Sequence, residues 1–310
     1  MKVGQTCWSA PKSGRRGNAA LPSCIAAFTL VEILVVVVLM SFIILALMAV
    51  FNSTQAAFRA SLTQTDVLEG GRSVMGLIKN DLESVTPSYL NATNFYAAVS
   101  NSFPQTLTGS SASHTNVMED VFFITRQNQT WKGVGYFVRT NLLFSGQVGT
   151  PGILYRFETN YSVAQFTRNP TNLFGAFNQV RDPSGFQLAA KNNILPPGVS
   201  QVLGGVMSFK VRAFDTNGFW ITANHTNLTV INIVAITNIT SPEVMLYTFY
   251  SNAVPATVEV ELGVLEDRTL QRVQSLGGLT QSNYLAQQAG KVHLFRQRIP
   301  IRNVDPSAYQ

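Results

Sequence analysis

The sequence predicts an α+β protein in which one long N-terminal helix packs on an antiparallel β-sheet. An apolar run over residues 28–51 continues into a helical pattern up to residue 86, and from about residue 116 the hydrophobic period changes to two. A single helix followed by strands, without alternation of the two, favours an antiparallel sheet. With 46% hydrophobic and only 12% charged residues, the chain is neither largely disordered nor a typical nucleic-acid binder.

Residues 1–27 form a basic leader without an acidic residue. The leader contains four basic residues and both cysteines of the chain: Lys2, Lys12, Arg15, Arg16, Cys7 and Cys24. Without the leader, 18 basic and 16 acidic residues remain and no thiol is left. The basic character of the chain therefore belongs mainly to the leader, and a disulfide or a thiolate catalyst is excluded from the rest.

Residues 28–51 predict a transmembrane helix. As a helix, these 24 residues span roughly 36 Å, enough to cross a hydrocarbon core of about 30 Å. A cleaved secretory signal would carry small residues after its apolar run, whereas Ala26 and Ala27 precede this one. The basic leader favours a cytoplasmic N-terminus, with the bulk of the chain on the far side of the membrane.

Glu32 is the single ionisable residue of this span, and a carboxylate at that depth needs a partner. One interpretation is an acid that reaches back to the interface from near the helix end. The alternative is cleavage after Ala27, which would free an α-amino group at Phe28. Glu32 could then pair with the amino terminus of a neighbouring subunit.

The segment Ala27–Glu32, with the apolar run after it and the basic leader before it, resembles the class III signal of type IV pilins and type II secretion pseudopilins. The resemblance implies that a prepilin peptidase cuts between Ala27 and Phe28 and methylates the new amino group of Phe28. It also implies that Glu32 is the fifth-position glutamate used in filament assembly. Ala27 stands where the family usually has glycine.

Residues 52–86 predict the periplasmic half of the same helix. Apolar residues recur there mostly at steps of three and four or their sums, namely Phe58, Leu62, Leu68, Met75, Ile78 and Leu82. The second half of this stripe is expected to pack on the globular domain, and the alternative is contact with neighbouring helices of a filament; both can hold. Pro87 predicts a helix end near Val85, and Gly70–Gly71 predicts an interruption with a bend.

Residues 87–310 predict a β-rich domain with a C-terminal extension. Turn-rich stretches over 94–116 and 166–187 separate the strands. The predicted strands are Val121–Thr125, Val134–Arg139, Ile153–Glu158, Val206–Phe214, Leu228–Ile236, Val244–Tyr250 and Thr257–Leu265.

Several segments are similar, in order and spacing, to the J-type minor pseudopilin of type II secretion. They are Gly71–Leu82, Gly135–Val138, Leu154–Arg156, Leu203–Trp220 and Val254–Val260. The sequence departs from that pattern in an Asn/Thr-rich insert at 224–240 and in a tail after Leu265, which ends in a basic stretch at 291–302. The tail either contacts lipid phosphates or an acidic partner, or forms a basic edge strand.

No motif of catalysis, cofactor binding or metal binding is visible. The three histidines, His114, His225 and His293, are scattered, and no phosphate-binding, dinucleotide-binding or nucleophile-elbow motif occurs. The acidic pairs Glu119–Asp120 and Glu266–Asp267 could bind calcium if loops brought them together, but such pairs are more often solvated turns. We therefore expect no enzyme activity, no cofactor and no metal site.

The resemblance implies a minor pseudopilin, a non-catalytic subunit at the tip of a periplasmic filament that helps to export folded proteins. Its expected location is the bacterial inner membrane, crossed once. Its expected partners are the I-type and K-type minor pseudopilins, the major pseudopilin and the prepilin peptidase. The alternatives are a minor pilin of a type IV pilus, or a periplasmic binding protein or enzyme held by an uncleaved anchor.

Overall fold

The computed structural model describes residues 29–106, 113–128, 130–140, 151–162, 170–182, 186, 195–223, 232–237, 245–276 and 278–309. The chain divides into two compact units, Met1–Ala60 and Ser61–Gln310. Helix α1, Leu30–Glu83, begins in the first unit and continues into the second, which contains the whole sheet. A long N-terminal helix and a large antiparallel sheet confirm the α+β class.

The described part of the second unit contains nine strands and three further helices. In chain order these are β1 Thr93–Thr106, β2 Ser113–Gln127, β3 Thr130–Thr140, β4 Gly152–Ser162, α2 Thr171–Arg181, β5 Val199–Phe214, β6 Ile233–Thr237, β7 Met245–Tyr250, β8 Thr257–Leu265, α3 Asp267–Ser275, α4 Gly278–Gln287 and β9 Val292–Pro300. The strands form one sheet in the order β6-β7-β1-β2-β3-β4-β5-β8-β9. Neighbouring strands are antiparallel, and β5 also meets β2 in a parallel bridge between Met118 and Phe209.

Five of the seven predicted strands lie wholly within observed ones, but two stretches expected to be turns are ordered elements. Much of 94–116 belongs to β1 and the start of β2, and 166–187 contains α2. Strand β1 is rich in Asn, Ala and Ser, which have low strand propensity, yet it is a central strand paired with both β2 and β7. Cross-strand pairing, which is invisible in the local sequence, outweighs that propensity. Part of the predicted strand 228–236 lies outside the described residues, and β6 begins at Ile233.

The second half of α1 packs one face against the sheet. Its buried apolar residues are Val67, Val74, Met75, Ile78 and Leu82, and they share the main core with strand residues such as Phe209 and Leu262. Phe58 and Leu62, which belong to the same predicted stripe, are exposed. From Val67 onward the stripe therefore packs on the domain. Before Val67, no described residue packs against it.

A second, aromatic core lies under α2. Phe177 of α2 stacks on Phe122 of β2 and meets Phe137 of β3 edge to face, with ring centroids 5.3 and 6.1 Å apart. Gly135 leaves room for the Phe177 ring, which lies where a Cβ would be. Because Leu173 and Phe177 are four residues apart, a single turn of α2 presents both to this cluster.

Helix α1 continues through Gly70–Gly71, so the expected interruption is wrong. A Cβ added at Gly71 would overlap the ring of Phe295 in strand β9. Gly71 is therefore required for the close approach of the helix to this strand. At this position the helix requires the small size of glycine and not its conformational freedom.

The substitution Gly71→Ala should lower the free energy of unfolding by about 1–3 kcal/mol, because the added methyl overpacks Phe295. Gly76→Ala is the matched control, since it lies in the same helix and its Cβ would meet no atom within 4 Å. That control should gain up to about 1 kcal/mol from helix propensity. Denaturant unfolding of the full chain in detergent measures both effects, and equal shifts for the two variants would contradict the packing argument.

Candidate functional site

The assembly site expected from the sequence consists of Ala27, Phe28 and Glu32. Ala27 and Phe28 lie outside the described residues. Glu32 lies in the first turn of α1, where its carboxylate Oε2 accepts hydrogen bonds from the backbone N–H and the hydroxyl of Thr29, both at 3.0 Å. The backbone N–H of Glu32 in turn donates to the hydroxyl oxygen of Thr29 at 3.3 Å.

This reciprocal pair is a capping box, which satisfies two N–H groups left open at a helix start. The sequence signal for it, Thr29 followed three residues later by Glu32, was present but not used in the prediction. Both bonds to Thr29 use Oε2, and among the described residues Oε1 has no hydrogen-bond partner. The box therefore fixes the carboxylate at the start of α1 and leaves one oxygen available.

The helix that follows Glu32 presents an apolar surface on all sides. The large apolar side chains from Leu30 to Phe51 are between 45% and 80% exposed. An 18-residue window of the helix has a mean hydropathy of 3.3 and no buried share. By length and composition, α1 is able to cross a membrane, which agrees with a single-pass anchor.

A second charged site fixes the end of α1 on the sheet. Asp81 of α1 accepts hydrogen bonds from Tyr136 of β3 and from Arg156 of β4, whose Nε lies 2.7 Å from Asp81 Oδ2. Arg156 also contacts Glu158, which in turn binds Lys132 at 3.2 Å. The four charged side chains, Asp81, Arg156, Glu158 and Lys132, alternate in sign, and with Tyr136 they join one helix to two strands.

Burial and the adjacent Asp81 carboxylate raise the pKa of the Tyr136 hydroxyl, so it stays protonated and acts as a donor. The hydrogen bond from Arg156 lowers the pKa of Glu158. Asp81, Tyr136 and Arg156 come from three separate segments of the J-type resemblance. These segments are far apart in the sequence, and the fold brings them into contact.

A buried carboxyl group lies where β5 meets β2. Glu119 is fully buried, its Oε2 accepts the backbone N–H of Val211, and its Oε1 has no partner among the described residues. Burial raises the pKa of Glu119 to about 8, against the lowering effects of Lys210 and Arg212. Glu119 is therefore largely protonated at neutral pH.

The neighbouring acid, Asp120, is also buried but is paired. Arg139 Nη1 lies 2.9 Å from Asp120 Oδ1, and Arg181 Nη1 lies 3.4 Å from Oδ2. The expectation that Glu119–Asp120 forms a solvated turn is wrong, because both residues lie inside strand β2. Glu266 contacts His293 at the start of α3. In the described part of the chain, no group of three or more His, Cys, Asp or Glu residues could hold a metal ion.

No family model, curated protein or solved structure matches this chain. The structure therefore defines an α+β protein with one long N-terminal helix, the first part of which is long and apolar enough to cross a membrane.

The substitution Asp81→Asn should lower the free energy of unfolding by about 2–3 kcal/mol, because the partly buried Arg156 loses a charged partner. Lys79→Gln is the matched control on the same helix. It removes only a partly exposed pair with Glu83 at 3.8 Å and should change stability by less than about 1 kcal/mol. Chemical denaturation of the full chain in detergent compares them, and equal stability of the two variants would contradict the anchoring role of Asp81.

Glu119 predicts that stability falls as the pH rises from about 5 to 8. Its pKa is about 8 in the folded chain and near 4.5 when exposed, so the folded state holds the proton more tightly. The stability from this group is complete below pH 4.5 and is lost as the pH approaches 8, by at most about 4 kcal/mol. Glu119→Gln keeps an oxygen for Val211 and should flatten this slope.

The exposed Glu69→Gln serves as the control for the pH experiment and should keep the slope of the unaltered chain. Denaturant unfolding in detergent at pH 5, 6.5 and 8 provides the comparison. If the Glu119→Gln variant and the unaltered chain lose stability in parallel, Glu119 is not the titrating group.

Proposed function

We propose that this chain is a minor pseudopilin of a type II secretion system, most similar to the J-type subunit. The observation that carries the proposal is Glu32, the single ionisable residue of the apolar span 28–51, four positions after Phe28. A charge at that depth is costly unless a partner compensates it. A processed neighbouring chain would supply such a partner in its new amino terminus.

The mechanism is assembly without catalysis. A prepilin peptidase cuts between Ala27 and Phe28, methylates Phe28 and leaves the apolar helix in the bacterial inner membrane. As the helices bundle, the amino group of a neighbouring subunit binds Oε1 of Glu32, while Thr29 holds Oε2. This pairing sets the axial register between subunits, because a helix displaced along its neighbour would leave both charges in hydrocarbon.

The capping box contributes to this mechanism by orienting the carboxylate. Without it, the Glu32 side chain would have to lose rotamer freedom at the moment of pairing. With Oε2 bound to the Thr29 backbone and hydroxyl groups, the side chain is already fixed before a neighbour arrives. Thr29 therefore acts as a positioning residue for Glu32.

The J-type assignment is supported by the contact among Asp81, Tyr136 and Arg156, which joins three segments of the resemblance. Three short matches whose residues contact one another support the assignment more strongly than three matches that lie apart in the structure. In this proposal the subunit lies at the tip of a short periplasmic filament with the I-type and K-type minor pseudopilins. The major pseudopilin extends that filament below them, and the filament pushes folded proteins outward.

The processing step predicts a mature chain that begins with N-methylated Phe28. Mass spectrometry of the chain purified from membranes of a host with prepilin peptidase should find this terminus, and a peptidase-deficient host should retain residues 1–27. A mature chain that still carries its first 27 residues in both hosts would falsify the proposal.

Two variants separate the charge of Glu32 from its capping role. Glu32→Gln keeps a capping-box acceptor but removes the charge, so membrane insertion should be normal and cross-linking to partner pseudopilins should fall about tenfold or more. Thr29→Ala breaks the box and keeps the charge, so cross-linking should fall less, by about threefold. The readout is the yield of engineered cysteine cross-links between co-expressed subunits in membranes.

The relative loss of cross-linking in the two variants shows whether Glu32 acts through its charge or as a helix cap. If Thr29→Ala is as defective as Glu32→Gln, or more so, Glu32 acts as a helix cap and its charge is not needed for assembly. If both variants cross-link normally and secretion is intact, the pairing role is wrong.

A further inference from the structure

Strand β9, Val292–Pro300, forms one edge of the sheet. Its inner edge pairs with β8 along its whole length, from Leu265–Val292 to Thr257–Pro300. In the described part of the chain, no strand pairs with its outer edge. An open strand edge presents backbone N–H and C=O groups that can accept a further strand. The basic edge strand expected from the sequence is therefore observed.

The two faces of β9 differ in chemistry. On one face, Phe295 contacts α1 at Gly71 and Ile299 is fully buried, so the strand is firmly anchored. On the opposite face, Leu294, Arg296 and Arg298 alternate and are all exposed, with 50% and 59% exposure of the two arginine side chains. The edge thus combines a backbone held by β8 and α1 with an accessible cationic face.

The charges on that face are not balanced. A single carboxylate, Glu259 of β8, receives Arg296 at 2.6 Å, Arg298 at 2.7 Å and Arg212 at 3.5 Å. The next pair along the strands, Lys210 and Glu261, is loose at 4.0 Å. Four cations therefore share two carboxylates, and the two outermost cations lie on the open edge. The excess positive charge there attracts a further carboxylate from outside the chain.

We propose that the outer edge of β9 binds an extended acidic segment of a partner protein as an additional strand. Carboxylates at alternate positions of that segment would lie over Arg296 and Arg298. The same arrangement is present on the inner edge of β9. There, Glu259 and Glu261 of β8 are alternate residues in register with Arg298 and Arg296. The bound segment repeats on the outer edge the chemistry that β8 provides on the inner one.

A second copy of this chain is a poor occupant of the same edge. Two β9 strands side by side would bring their own arginines together on one face, and like charges across strands are destabilising. The inference uses only contacts among β5, β8, β9 and the helix residue Gly71, so it does not depend on the function proposed above.

The test uses the full chain in an uncharged detergent and a labelled nine-residue peptide with the sequence of Thr257–Leu265. The control peptide carries glutamine at both glutamate positions. Fluorescence anisotropy should give at least about fivefold weaker binding for the control, from the loss of charge pairs. Hydrogen exchange should show about tenfold slower exchange of outer-edge β9 amides when the acidic peptide is bound.

Variants of the chain test the two arginines. Arg296→Gln and Arg298→Gln should each weaken the acidic peptide about fivefold. Each leaves Glu259 with two guanidinium partners, and thermal unfolding checks that the fold is retained. The matched control Arg126→Gln, an exposed arginine in strand β2, should bind the peptide as the unaltered chain does. The comparison of the two peptides on the unaltered chain needs no variant at all.

Several outcomes would overturn the inference. Equal binding of the two peptides, no measurable binding, or binding without protection of β9 each removes the strand-addition model. Protection of β9 without peptide in nanodiscs that contain phosphatidylglycerol, but not in uncharged ones, would identify a lipid surface as the occupant. Self-association of the chain that Arg298→Gln abolishes would identify a second copy instead.

Discussion

The packing of the second half of α1 on the sheet is the constraint on which the domain depends. The buried side chains from Val67 to Leu82 supply the apolar contact, and Asp81 supplies a specific charged one with Tyr136 and Arg156. Apolar burial alone would tolerate some sliding of the helix along the sheet. A charged contact at one point and the close approach of Gly71 to Phe295 at another fix its position.

The first half of the same helix meets a different constraint. Its large apolar side chains from Leu30 to Phe51 are all exposed, and Glu32 is the single ionisable residue among them, so water is an unfavourable solvent for this stretch. A bilayer or a bundle of similar helices would satisfy this surface. One continuous helix thus has apolar side chains on all sides from Leu30 to Phe51 and a single buried apolar face from Val67 to Leu82. The second stretch contributes to the core of the domain, and the first does not.

Three buried carboxyl groups of the sheet are stabilised in two ways, by pairing with arginines or by holding a proton. Asp120 is paired with two arginines, Glu259 with three, and Glu119 accepts a backbone N–H and holds a proton because burial raises its pKa. The three are alike in the sequence, where each is an acid within or beside a run of strand-forming residues. Their environments differ because the strands next to them bring different side chains into reach.

The sequence by itself determined the class of the fold, the apolar span and most of the strands, because hydrophobic periodicity is a local property. It also marked Glu32, since a lone charge in an apolar run is visible without coordinates. Only the tertiary structure decided that β1 is a central strand, that Gly71 serves a close contact and that Asp81, Tyr136 and Arg156 form one site. Each of these depends on residues far apart in the chain, and local patterns carry no information on which distant segments pair.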